Sequence, residues 1–95
     1  MNREQFEDIC EHVELAVNET WDDVQYVSGG DAKESVEGQF YTTFVYMHDH
    51  KRYDVHINNV AVSVYKNGLM DNSRIFKVQI SENWQQKLKD FLKTI

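Results

Sequence analysis

Ninety-five residues, 41% of them hydrophobic and 13% aromatic, suffice for one domain spanning 1–95 with a single core. The lone cysteine, Cys10, excludes an intramolecular disulfide and points to a reducing, cytoplasmic setting. No run approaches the roughly 20 apolar residues that span a membrane, and the acidic start MNREQFEDIC does not read as a secretory signal.

The net charge of −6 is unevenly divided. Residues 1–37 carry eleven acidic and two basic residues, a net of −9. Residues 38–95 carry five acidic and eight basic, a net of +3. The acidic first third would repel nucleic acid and anionic membrane and attract a basic protein surface.

Residues 3–19 have the period of an amphipathic helix. Phe6, Ile9, Cys10, Val13, Ala16 and Val17 recur at three- and four-residue intervals, with Asn2 as cap. Glu4, Glu7, Asp8, Glu11 and Glu14 occupy the opposite side together with Leu15, which is out of phase with the core stripe. Such a charge run is ordinarily a solvated face. Its functional reading is an acidic docking ridge with Leu15 as its apolar anchor. Trp21 continues the core stripe, and Val24 to Val27 suggest a first strand. SGGDAKESVEG (28–38) has no periodicity and reads as a long polar loop or flap. Gly29-Gly30 lacks the spacing of a phosphate loop and reads as a turn.

Residues 40–80 alternate in the manner of antiparallel strands. Tyr53, Val55 and Ile57, then Val60, Val62 and Val64, then Phe76, Val78 and Ile80, each predict one apolar face. The run 40–48 is apolar on both sides. DHKR (49–52) and Asn58-Asn59 read as turns. Pairing His48 with Tyr53 places Phe44 and Tyr46 in the core. Tyr41, Val45, Met47, His56, Tyr65 and Ile75 then lie on the opposite, uncovered face, a candidate interface. A one-residue slip would reverse this assignment. Asn67-Gly68 is a turn that leaves Leu69 and Met70 near its tip. Residues 81–95 form a second helix, with Ser81 as cap, Glu82 at its positive start, and Trp84, Leu88, Phe91, Leu92 and Ile95 as its stripe. The expected fold is α+β: an N-terminal helix, a four- or five-stranded antiparallel meander and a C-terminal helix, with both helices on one face.

His48, His50 and His56, with Asp49 and Asp54 nearby, form the cluster most like a metal site. The turn falls between His48 and His50, and His56 points to the other face, so no metal and no cofactor is expected. Cys10 sits on the core stripe, no serine lies in a nucleophile elbow, and no carboxylate pair looks tuned. Tyr41, Tyr46 and Tyr65 could stack bases, but a basic groove is missing.

The expectation is therefore a non-enzymatic binding protein whose partner is another protein with a basic surface, with no direct nucleic-acid or membrane contact. The candidate contacts are Glu4, Glu7, Asp8, Glu11, Glu14, Leu15, Tyr41, Met47 and Tyr65. The size, acidity and element order are those found among phage anti-defence inhibitors (anti-CRISPR proteins included), toxin-immunity proteins and secretion chaperones. That likeness is of architecture and charge, and fold does not imply function. The alternatives are a homodimeric structural or chaperone-like module, and a metal-dependent or small-ligand enzyme on the histidine hairpin.

Overall fold

The computed structural model describes residues 1–81 and 83–95, with Asp71 described by its backbone alone. The described residues form α1 (Arg3–Thr20), β1 (Gln25–Gly29), β2 (Lys33–Val36), β3 (Gln39–His48), β4 (Lys51–Asn58), β5 (Ala61–Lys66), a 3-10 turn (Asp71–Ser73), β6 (Arg74–Gln79) and α2 (Trp84–Leu92). The fold is α+β, with a six-stranded antiparallel sheet in the order β1-β3-β4-β5-β6 and β2 also paired to β3.

Asn2 starts α1 with a capping box. Its Oδ1 accepts from Gln5 N–H at 2.8 Å, and Gln5 Oε1 accepts from Asn2 N–H at 3.0 Å. The helix buries Phe6, Cys10, Val13, Ala16 and Val17 against the sheet, the face predicted from its period.

The 28–38 segment is not a plain loop. Lys33–Val36 pairs with the first residues of β3, while β1 pairs with its last residues. β1 and β2 thus run in one direction along one edge of β3, as two halves of an interrupted strand. The interruption sits at Gly29 and Gly30, with φ of 93° and 97°. A Cβ on Gly29 would lie 1.8 Å from the Thr43 carbonyl oxygen, so only glycine permits this approach. The sequence shows no alternation here because β2 is exposed on both faces.

The β3–β4 connection is shorter than DHKR. Asp49 and His50 alone make the turn, both with positive φ, and His48 pairs with Lys51 rather than Tyr53. That two-residue displacement conserves parity, so Phe44 and Tyr46 still face the core beside Val55 and Tyr53. The β4–β5 turn is Asn59-Val60, and Asn58 Oδ1 accepts from the backbone N–H groups of Val60 and Ala61. Val60 is therefore exposed in a turn and does not share the core face of Val62 and Val64.

Three further expectations need correction. Phe76 is half-buried, because β6 is an edge strand, although its ring stacks on Phe91 at 4.4 Å. Ser81 does not cap the second helix. Asn83 holds the cap position in the left-handed conformation without a side-chain bond, and Ser81 Oγ donates to the Gln79 carbonyl at 3.3 Å. Ile95 lies beyond α2 and is exposed. Glu82 lies outside the described residues. Trp84, Leu88 and Leu92 join α1 and the inner sheet face in one cluster, so both helices cover the same side. No helix among the described residues is long and apolar enough to cross a membrane.

Candidate functional site

The nine predicted contact residues fall on two surfaces on opposite sides of the sheet. Helical spacing brings Glu4, Glu7, Asp8, Glu11, Glu14 and Leu15 to the outer side of α1, where all six are exposed. Glu7 has a loose pairing with Arg3 at 3.8 Å, and Asp8 approaches His12 at 3.6 Å. Glu4, Glu11 and Glu14 have no ion-pair partner among the described residues. Asn2, Glu4, Gln5, Glu7, Asp8 and Glu11 line one shallow depression along this ridge. Leu15 stands half exposed among the carboxylates. The ridge field reaches inward: burial, with Glu14 and Glu7 adding to it, pushes the Cys10 thiol up to about 11. Cys10 is thus a buried core residue whose thiol is held protonated.

Tyr41, Met47 and Tyr65 lie on the uncovered sheet face, with Tyr41 and Met47 near opposite ends of β3 and Tyr65 on β5. They do not form one patch. Arg52 and Asp54 separate Met47 from Tyr65. The Arg52 guanidinium grips the buried Asp54 carboxylate through two bonds of 2.9 and 3.0 Å. That carboxylate raises the Arg52 pKa further above its ordinary value. Lys77 pairs with Ser63 and Arg74 with Tyr65, so cations also stand at the β6 side of this face.

The histidines are dispersed. His48 ends β3 on the core side, stacked on Trp21 with ring centroids 4.2 Å apart. His50 sits exposed in the turn. His56 lies on the other sheet face beside Thr43 Oγ1 at 3.1 Å, and burial lowers its pKa below 6.5. Among the described residues no three His, Cys, Asp or Glu side chains converge as metal ligands would.

Leu69 and Met70 are exposed in the β5–β6 connection, at 50% and 64%. Sequence reasoning gave no role to Tyr26 or Asn18 and weighed Tyr46 only as a base-stacking residue; these three meet Glu14 at the foot of the ridge. Tyr46 reads as core, Asn18 as helix surface and Tyr26 as strand. Only the pairing of Tyr26 with Tyr46 across β1 and β3 joins them. Comparison with known protein families, with curated proteins and with solved structures finds no match to this chain.

Proposed function

We propose that this chain is a small, non-catalytic binding protein. It occupies a basic surface of a partner protein, of the kind that otherwise holds nucleic acid, through the outer side of α1. The observation that carries the reading is the spacing of its charges. Glu4 to Glu14 place five carboxylates along about 15 Å of helix axis, or one per roughly 3–4 Å. A strand of duplex DNA presents one phosphate per about 3.4 Å. A rigid, capped helix holding that charge density imitates a phosphate row at little ordering cost.

Pairing between two copies through β6 is the less favoured reading. Arg74 and Lys77 stand on that edge strand, and cations there discourage strand addition by a second copy.

The test is to isolate the partner by affinity capture from the source cell, then measure its binding to wild type and to the triple variant Glu7→Lys, Glu11→Lys, Glu14→Lys. Loss of affinity in the variant, mimicked by salt in wild type, is expected, together with displacement by duplex DNA. If the triple reversal changes neither affinity nor salt slope, while Tyr41→Ala or Tyr65→Ala abolishes binding, the open sheet face is the site and the ridge is not.

A further inference from the structure

At the foot of the ridge, α1 and β1 enclose a notch of about 310 Å³ lined by Glu14, Asn18, Tyr26 and Tyr46. Its floor is Tyr46, 2% exposed, whose buried hydroxyl has no hydrogen-bond partner among the described residues. A buried hydroxyl without a partner is costly and unusual. Burial, then the nearby Glu14 carboxylate, raises the Tyr46 pKa and keeps the phenol protonated. Its wall is Tyr26, 61% exposed, with ring centroids 6.4 Å apart and planes at 65° to those of Tyr46. The Tyr26 hydroxyl donates to the Gly29 carbonyl at 2.6 Å, which holds that ring in place. Asn18 donates its amide N–H to the Glu14 carbonyl at 2.9 Å. Its Oδ1 has no donor among the described residues.

What the notch offers a visitor suits a cation: the Tyr26 ring above the floor of Tyr46, a carboxylate and an amide oxygen. No basic side chain lines it. We infer that the notch receives an arginine side chain of the partner, its guanidinium stacked on the Tyr26 ring and donating to Glu14 and Asn18. A guanidinium suits the site better than an ammonium because it is planar, carries five donors and stacks on aromatic faces. The inference rests on the acidic-ridge reading and specifies which basic group that ridge selects.

The probes are oligo-arginine and oligo-lysine peptides of equal length, titrated at one ionic strength. Charge alone treats the two alike. Wild type is expected to prefer the arginine peptide by about two- to fivefold, since an exposed cation–π contact carries at most about that range and guanidinium stacks better than ammonium. Tyr26→Ala, at an exposed position that leaves the fold intact, should erase the preference while retaining weaker, salt-sensitive binding of both peptides. Tyr26→Phe keeps the ring and loses only its bond to the Gly29 carbonyl, so it should retain most of the preference. Glu4→Gln with Glu7→Gln, outside the notch, should weaken both peptides equally. Equal and salt-sensitive binding of the two peptides to wild type overturns the notch and leaves the ridge standing. A preference that survives Tyr26→Ala overturns it as well, and so does failure of the arginine peptide to bind.

Discussion

Trp21 and His48 lie face to face, their planes 5° apart, and this pair ties three separate ends of the chain together. Trp21 closes α1, its backbone N–H donating to the Val17 carbonyl at 2.9 Å. Its indole N–H donates to the Leu92 carbonyl at 2.9 Å, holding the last turn of α2. His48 ends β3, with Nδ1 2.5 Å from Asp23 Oδ1, while Asp23 Oδ2 accepts from the Asp49 N–H at 2.8 Å. Trp21→Phe keeps the aromatic contact and removes the buried bond to Leu92. The Leu92 carbonyl keeps a weaker bond from the Ile95 N–H at 3.4 Å, so chemical denaturation should show a loss of about 0.5–1.5 kcal/mol, the net worth of one hydrogen bond. A loss within error of zero would mean that the indole bond does not hold α2.

The same cluster sets one acid limit of stability. The bond with His48, then that from the Asp49 N–H, lowers the Asp23 pKa below its ordinary 3.8. A carboxylate depressed in the folded state stabilises fully above its unfolded pKa, and the contribution fades as pH falls through the folded value. His56 acts higher on the scale. Its folded pKa lies below 6.5, so the unfolded chain takes up the proton first and stability declines as pH drops below 6.5. Denaturation midpoints measured across pH should show His56→Gln flattening the upper decline and Asp23→Asn flattening the one below 3.8. Parallel curves for wild type and both variants would contradict these assignments.

Gly29 and Gly38 both have positive φ, yet they should respond differently to alanine. At Gly38, φ is 79° and nothing lies within 4 Å of an added Cβ, so the cost is conformational, about 1 kcal/mol. At Gly29 the Cβ would collide with the Thr43 backbone, and β1 must shift away from β3. Thermal unfolding should place Gly29→Ala well below Gly38→Ala. Equal melting temperatures would show that β1 contributes little to the fold.

The element order was legible because α1, β3 to β6 and α2 each carry apolar residues at a regular spacing, and period separates helix from strand, even where β5 is buried on both faces and β6 buries only Val78. Even the misplaced His48–Tyr53 pairing left the core faces correct, since an even shift conserves the side of every residue. β2 was not legible. Its four residues are exposed, and its pairing is carried by backbone bonds that any side chain permits. The acidic ridge could be read from i, i+3 and i+4 spacing. The notch beneath it could not, because Tyr26 and Glu14 meet only after the β1 bulge between Tyr26 and Ser28 has fixed the register with β3.

Core burial separates two phenylalanines that the strand pattern treats alike. Phe44 is 2% exposed on a central strand, whereas Phe76 is half-buried on the edge. Phe44→Ala should cost about 3–5 kcal/mol and Phe76→Ala clearly less. Urea titration yielding the reverse order would mean that β6 and α2, not β3, hold the centre of the core.

Leu15 offers the sharpest test of how the ridge works. It is 50% exposed on α1, in a position that contributes little to the core, and it is flanked by Glu11 and Glu14. Charges on an exposed ridge act over a Debye length of about 8 Å at physiological salt, so they govern encounter. Their reversal should lower the association rate, and raising salt in wild type should reproduce that change. An apolar anchor acts only after contact. Leu15→Ala should therefore speed dissociation and leave both the association rate and the salt slope unchanged. Surface-plasmon measurements on the captured partner separate the two rates. Should Leu15→Ala leave dissociation untouched while the charge reversals slow association, the ridge steers the partner without anchoring it at Leu15. The holding contact then lies elsewhere, and the Tyr26 notch, which shares Glu14 with the ridge, is a surface on which to look for it.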